Sequence, residues 1–112
     1  MAMEEDGGVA AWAEEVSAMS AMAGLFQSFS DPSRLVILRH LQFGEHRVVD
    51  LTAHLGLSQS TVSKHLVSLK EAGLVVSRPE GRASMYSLQH PEGLVELFAA
   101  VEAFLKSRAD AR

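Results

Sequence analysis

Asp50-Leu-Thr-Ala-His-Leu-Gly56-Leu-Ser-Gln-Ser-Thr-Val-Ser-Lys-His-Leu66 decides the fold of this chain. Two short helical patterns flank Gly56-Leu57-Ser58, with Thr52, Gly56 and Val62 at the spacing of a helix-turn-helix. That motif needs a small residue where its helices touch, a glycine that can take positive φ at the turn, and an aliphatic residue that locks the second helix onto the first. Thr52 is slightly larger than the alanine expected at its position; the other two requirements are met. Asp50 is read as the cap of a helix over 51–55, and Ser58 as the cap of one over 59–72 ended by Gly73.

The second of these helices has two faces. Val62, Leu66 and Leu69 turn inward, while Gln59, Ser60, Thr61, Ser63 and Lys64 face outward from its first turns. A glutamine and short hydroxyls can reach base edges in a major groove, and a lysine can reach a phosphate or a guanine. A polar helix face is ordinarily just a solvated surface; the glycine turn before it and the hairpin after it favour a reading helix. That hairpin is expected as strands 74–78 and 83–88 around a turn at Pro79-Glu-Gly-Arg82. Arg78 and Arg82 at its tip suit a phosphate backbone.

Outward from this centre, Val9, Trp12, Val16, Met19, Met22/Ala23 and Phe26 recur at three- and four-residue steps and predict a helix over 9–27. Asp31-Pro32 starts another. Pro91 opens a last helix with Leu94, Leu97, Phe98, Val101, Phe104 and Leu105 on one side. The expected order is α-α-α-α-β-β-α: a mainly helical chain with a small β-hairpin, forming one winged helix-turn-helix domain over 9–107. Residues 1–8 and 108–112 are expected to be flexible tails.

Bulk properties narrow the partners. The chain has 112 residues, 47% of them apolar and 21% charged, as in an ordinary globular domain. With no cysteine, disulfides and thiolate metal sites are excluded. The acidic N-terminus and the lack of a long apolar run point to the cytoplasm and away from a membrane. The net charge is −4, but residues 1–30 hold five acids and no Lys or Arg, whereas residues 31–89 hold seven cations against five anions. Affinity for DNA depends on the local cations, so the acidic total does not exclude it. An enzyme is disfavoured: there is no nucleophile elbow, phosphate-binding glycine loop or His-Glu-x-x-His.

The stretch Asp31-Pro-Ser-Arg34, Val49 through Leu66, Leu69, Ala72-Gly-Leu-Val75 and Gly81-Arg82 through Leu88 resembles the ArsR/SmtB family of bacterial winged-helix transcriptional regulators. About half the chain is covered. The resemblance implies a winged helix-turn-helix fold and a homodimer joined through the first and last helices, with Val9, Trp12, Val16, Met19, Leu94, Leu97, Phe98, Val101, Phe104 and Leu105 at the interface. It implies that Ser58, Gln59, Ser60, Thr61, Ser63, Lys64, His65, Arg78 and Arg82 contact a double-stranded operator, and that the protein is a transcriptional regulator, a repressor as the first expectation. A protein-interaction module without DNA is the rival of a different class.

The family's metal-sensing patterns are mostly missing. Where some members carry Cys-x-Cys before the capping Asp, this chain has Arg47-Val48-Val49. Where others carry Asp-x-His and His-x-x-Glu on the last helix, it has His90 and Glu92, then Ala103 and Lys106. His90 and Glu92 with Glu96 or Glu102 would form a nitrogen and oxygen half-site suited to Ni, Co or Zn as effector; the plainer reading is a first helical turn that favours carboxylates. His40, His46, His54 and His65 are read as non-metal residues, His46 in a loop. A protein co-regulator or an organic ligand is the alternative means of control.

Overall fold

The computed structural model describes the backbone of residues 2–111 and the side chains of residues 8–111. Its elements are α1 (Ala2–Ser28), α2 (Pro32–Leu41), β1 (His46–Arg47), α3 (Val48–Leu55), α4 (Gln59–Glu71), β2 (Val75–Glu80), β3 (Ala83–Leu88) and α5 (Pro91–Asp110). The expected winged helix-turn-helix is present, with one addition: β1 pairs antiparallel with β3, giving a three-stranded sheet in the order β1-β3-β2. His46, expected in a loop, lies in that short strand opposite Tyr86.

Polar side chains set the helix starts. Asp31 caps α2 by accepting from the amides of Ser33 at 2.7 Å and Arg34 at 3.3 Å, satisfying donors that have no partner within the helix. Burial pushes the Asp31 carboxyl up, but the amides of Arg34 and Ser33 outweigh it and hold the group below the usual carboxylate range. Arg34 then donates to the carbonyls of Ser28 at 2.8 Å and Gln27 at 3.0 Å. It thereby closes the end of α1 and ties it to α2. Asp50 is not the cap it was expected to be. α3 starts earlier, at Val48, so Asp50 sits in the third helical position and reaches back to the amide of Arg47 at 3.0 Å. This is the reciprocal half of a capping box.

The core comes from Ile37, Leu38 and Leu41 of α2, Leu51 of α3, Val62, Leu66 and Leu69 of α4, Leu74, Val75 and Leu88 around the sheet, and Leu94 at the start of α5. Leu94, expected at a subunit interface, is therefore inside the protomer, buried in the same cluster as Val75 and Leu88 of the sheet. Among the residues of α1 whose side chains are described, none belongs to this buried set; Leu25 and the following Phe29 pack partly against it. Val9, Trp12, Val16, Met19, Val101, Phe104 and Leu105 are all exposed. Phe29 meets Phe98 edge-to-face with ring centres 5.4 Å apart, joining the end of α1 to α5.

Two boundaries differ from those expected. α1 takes in residues 2–8, where a frayed tail was foreseen, and α5 continues through 108–110. Ala, Met and Glu are strong helix formers, and acids in a first turn complement the helix dipole, so Gly7-Gly8 weakens the helix without ending it. Met1 and Arg112, the outermost residues of the two expected tails, lie outside the described residues.

The hairpin turn is also tighter than expected. The strands pair from Val75 with Leu88 to Glu80 with Ala83, which leaves only Gly81-Arg82 between them. Gly81 has φ 61°, and no residue other than glycine among those described has positive φ. That is the pattern of a two-residue hairpin turn with glycine at its first central position. Pro79 consequently lies in β2, a place it tolerates because β2 is an edge of the sheet.

Candidate nucleic-acid interface

α3 ends at Gly56, whose φ of 67° is left-handed and whose amide donates to the carbonyl of Thr52 at 3.0 Å. Any L side chain at this φ is strained by roughly 1–2 kcal/mol. Thr52 is accommodated in spite of its size: it is half-buried, and its hydroxyl donates to the carbonyl of Val48 at 2.9 Å. The chain then crosses Leu57 and enters α4 at Ser58. The Ser58 hydroxyl oxygen accepts from the amide of Thr61 at 3.2 Å and lies 2.8 Å from the Thr61 hydroxyl. We expect Ser58→Ala to lower stability by about 1 kcal/mol, measurable by urea unfolding.

α4 is held from below and open above. Val62, Leu66 and Leu69 are fully buried, whereas Ser58, Gln59, Ser60 and Lys64 are exposed and Thr61, Ser63 and His65 half-exposed. Of the expected reading residues on this helix, Gln59, Ser60, Ser63 and Lys64 stand three and four positions apart on one face of its N-terminal half, with Thr61 and His65 half-covered beside them. Among the described residues Lys64 has no acidic partner within ion-pair distance. At the other end, Lys70 donates to the Ser77 hydroxyl at 2.8 Å, tying α4 to the edge strand of the wing.

The two wing arginines differ. Arg82 occupies the turn, is exposed, and has no acidic partner among the described residues. Arg78 lies down in β2, where it donates to both carboxylate oxygens of Glu45, at 2.7 and 2.8 Å, and approaches Glu80 at 2.9 Å. These contacts raise Arg78 well above its ordinary pKa, and the Arg78 hydrogen bond holds the Glu45 carboxyl below its own. A free pair of arginines at the tip was expected. In the folded chain Arg78 braces β2 against the loop before β1, and Arg82 is the cation left available. Because the Glu45 pKa is depressed, whatever this pair contributes is present above the unfolded carboxylate pKa of about 4.3 and is lost as pH falls through the lower folded value. Exposure of both side chains keeps that contribution small.

The α5 residues expected to ligate a metal do not gather within the chain. His90 precedes α5 without capping it through its side chain, and Glu102 accepts from Arg39 at 2.6 Å. About 15 Å of helix separates Glu92 from Glu102. Among the described residues no three His, Asp or Glu side chains converge as ready metal ligands. Among the described residues of a single chain, His90, Glu92, Glu96 and Glu102 are not brought together as a ligand set. His40, His46 and His54, which nothing in the sequence linked, instead lie together, with ring centres 5.3 to 6.4 Å apart. No described helix is long and apolar enough to cross a membrane.

Comparison with known proteins gives a consistent picture. A family model described as "Bacterial regulatory protein, arsR family" matches residues 31–77, from the cap of α2 into β2. The chain is 42% identical over 69 residues to the arsenical resistance operon repressor of Staphylococcus xylosus, covering 62% of this chain and 66% of that one. It is 46% identical, also over 69 residues, to the HTH-type transcriptional regulator CmtR of Mycobacterium tuberculosis, covering 62% of this chain and 58% of the other. The matched stretch thus spans less than two thirds of each relative. Among solved structures, the homodimeric winged helix-turn-helix DNA-binding domain of a Mycobacterium bovis protein superposes with a TM-score of 0.74 at 28% identity, over 88% of this chain and 90% of that one. The two curated relatives are regulators, not enzymes.

Proposed function

The chain belongs to the ArsR family of bacterial regulatory proteins, and we propose that it is a homodimeric, sequence-specific DNA-binding transcriptional regulator that acts as a repressor. The observation that carries this reading is the N-terminal half of α4. Gln59, Ser60 and Lys64 stand exposed directly after the Gly56 turn, on a helix whose opposite face is fully buried. In a dimer of this design two copies of α4 enter successive major grooves, about 10–10.5 base pairs apart, with Arg82 of each wing over the flanking phosphates.

Support for the dimer comes from the surface. Exposed apolar side chains are concentrated on α1 and the later turns of α5. Phe26, Phe29, Val36, Leu97, Val101 and Leu105 line one apolar groove where α1, α2 and α5 meet. A continuous apolar surface of this kind marks an interaction site, and the Mycobacterium bovis neighbour is described as homodimeric.

Repression is supported by the printed role of the staphylococcal relative. A metal effector bound in the manner of the sensing members would find only His90 and Glu92 as ligands among the residues at those positions. Arg47 and Val49 are not metal ligands here, and Ala103 and Lys106 offer no lone pair to a divalent ion at neutral pH.

Two substitutions separate positioning from reading. Lys64→Ala should weaken binding to every sequence alike and lower the slope of log affinity against log salt by about 1 for each subunit's lost phosphate contact. Gln59→Ala should relax the choice of base at one position per half-site by about 1–3 kcal/mol. Fluorescence anisotropy over a salt series with a panel of operator variants checks both. Equal loss on all variants from Gln59→Ala would remove it from base reading.

A further inference from the structure

The grouping of His40, His46 and His54 is not explained by DNA reading or by the dimer face. His40 is in the last turn of α2, His46 in β1, and His54 in the last turn of α3. The ring centres are 5.3 Å apart for His40 and His54, 5.5 Å for His46 and His54, and 6.4 Å for His40 and His46. Metal–nitrogen bonds of about 2.1 Å at tetrahedral angles place the centres of three imidazoles sharing one ion about 5 Å apart. Two of the three separations already fit, and the third needs to close by about an ångström.

The hydrogen bonding points the same way. His46 Nδ1 lies 2.9 Å from the carbonyl oxygen of Gly44. A carbonyl only accepts, so Nδ1 carries the proton and donates, which leaves the Nε2 lone pair free in the neutral ring. Fixing one ring nitrogen on a backbone carbonyl is the usual support of a metal-binding histidine. Among the described residues no carboxylate is hydrogen-bonded to any of the three rings. His54 is exposed, and His40 and His46 are half-exposed. The nitrogens do not yet converge on a point, but rings so placed can rotate to meet an ion.

We propose that His40, His46 and His54 form a three-nitrogen site for a divalent ion of the zinc, cobalt and nickel class, closing on the ion by side-chain rotation and leaving a fourth position to water. The site joins α2, β1 and α3. His54 lies two residues before Gly56, so a bound ion would brace the helix on which α4 rests. Its donors are imidazoles on three elements and none of them is on α5. The inference stands on this geometry and not on the DNA-binding reading, so the test uses no DNA.

The test is titration of the full chain, freed of metal with a chelator, with Zn(II) by calorimetry and with Co(II) by visible absorption. The expected result is one ion per chain, with a Co(II) spectrum typical of nitrogen ligands. His46→Ala and His54→Ala should each weaken binding by at least about tenfold, as the loss of one of three ligands requires. His90→Ala should leave it unchanged. Thermal unfolding of the metal-free variants should match that of the unsubstituted chain, and His54→Gln, which keeps a polar side chain, should lose the ion in the same way. The proposal is overturned if the chain takes up no ion saturably, if His46→Ala and His54→Ala bind as tightly as the unsubstituted chain, or if only His90→Ala loses the ion.

Discussion

Replacing Trp12 and Phe104 together with glutamate is expected to leave the chain monomeric and to cut its affinity for an operator by about two to four orders of magnitude. Trp12 is 67% exposed and Phe104 66% exposed within the protomer, so neither supports the core, and far-UV circular dichroism should be preserved. In the proposed dimer both lie on the surface covered by the second copy. Four carboxylates would then be carried into an otherwise apolar contact surface, and burying a charge is severely unfavourable unless it is paired. Once the subunits separate, each α4 must bind its half-site alone and the gain from tethering two readers disappears. Analytical ultracentrifugation reads the first effect and anisotropy with operator DNA the second. A double variant that sediments like the unsubstituted chain would place the interface elsewhere.

Leu66→Ala is expected to destabilise the domain by about 2–5 kcal/mol. Leu66 is fully buried in α4, within the cluster that includes Leu51 of α3, Ile37 and Leu38 of α2 and Val75 of the sheet. Truncating it removes transfer free energy and leaves a cavity among side chains on three helices that cannot all collapse into it. Against the usual 5–15 kcal/mol of a small domain this is a large fraction, and the urea midpoint should fall accordingly. Val67→Ala, one residue along at a position 55% exposed, should stay within about 0.5 kcal/mol. If the two substitutions cost the same, the assignment of the inward face of α4 is wrong.

The helix-turn-helix is legible in the sequence because its determinants are local. Gly56 at a left-handed turn, Ser58 and Asp31 as caps, and the split between Val62, Leu66 and Leu69 and the polar residues around them depend on neighbours within a few positions. Features made by distant chain segments are not legible in this way. β1 has two residues and no periodicity; it is a strand only because β3 offers a free edge. Arg78 is an obvious wing cation until Glu45, 33 residues earlier in the chain, is found beside it.

Apolar periodicity has a related limit. It shows that α5 has an apolar face without showing what covers it. Leu94 faces the protomer's own core, while Phe104 faces outward. The three histidines illustrate the same point at the proposed metal site. Each has an ordinary local explanation at positions 40, 46 and 54, and only the antiparallel register of β1 on β3 and the packing of both α2 and α3 against α4 and β3 bring the rings together.

If α4 reads a particular DNA sequence, affinity must depend on base order and not only on the phosphate backbone. Anisotropy at near-physiological salt should be used to compare the full chain's affinity for a duplex from the region upstream of its own gene with its affinity for a shuffled duplex of the same length and composition. Binding to the first tighter by about 10³ or more is predicted, and equal affinity for the two would contradict it.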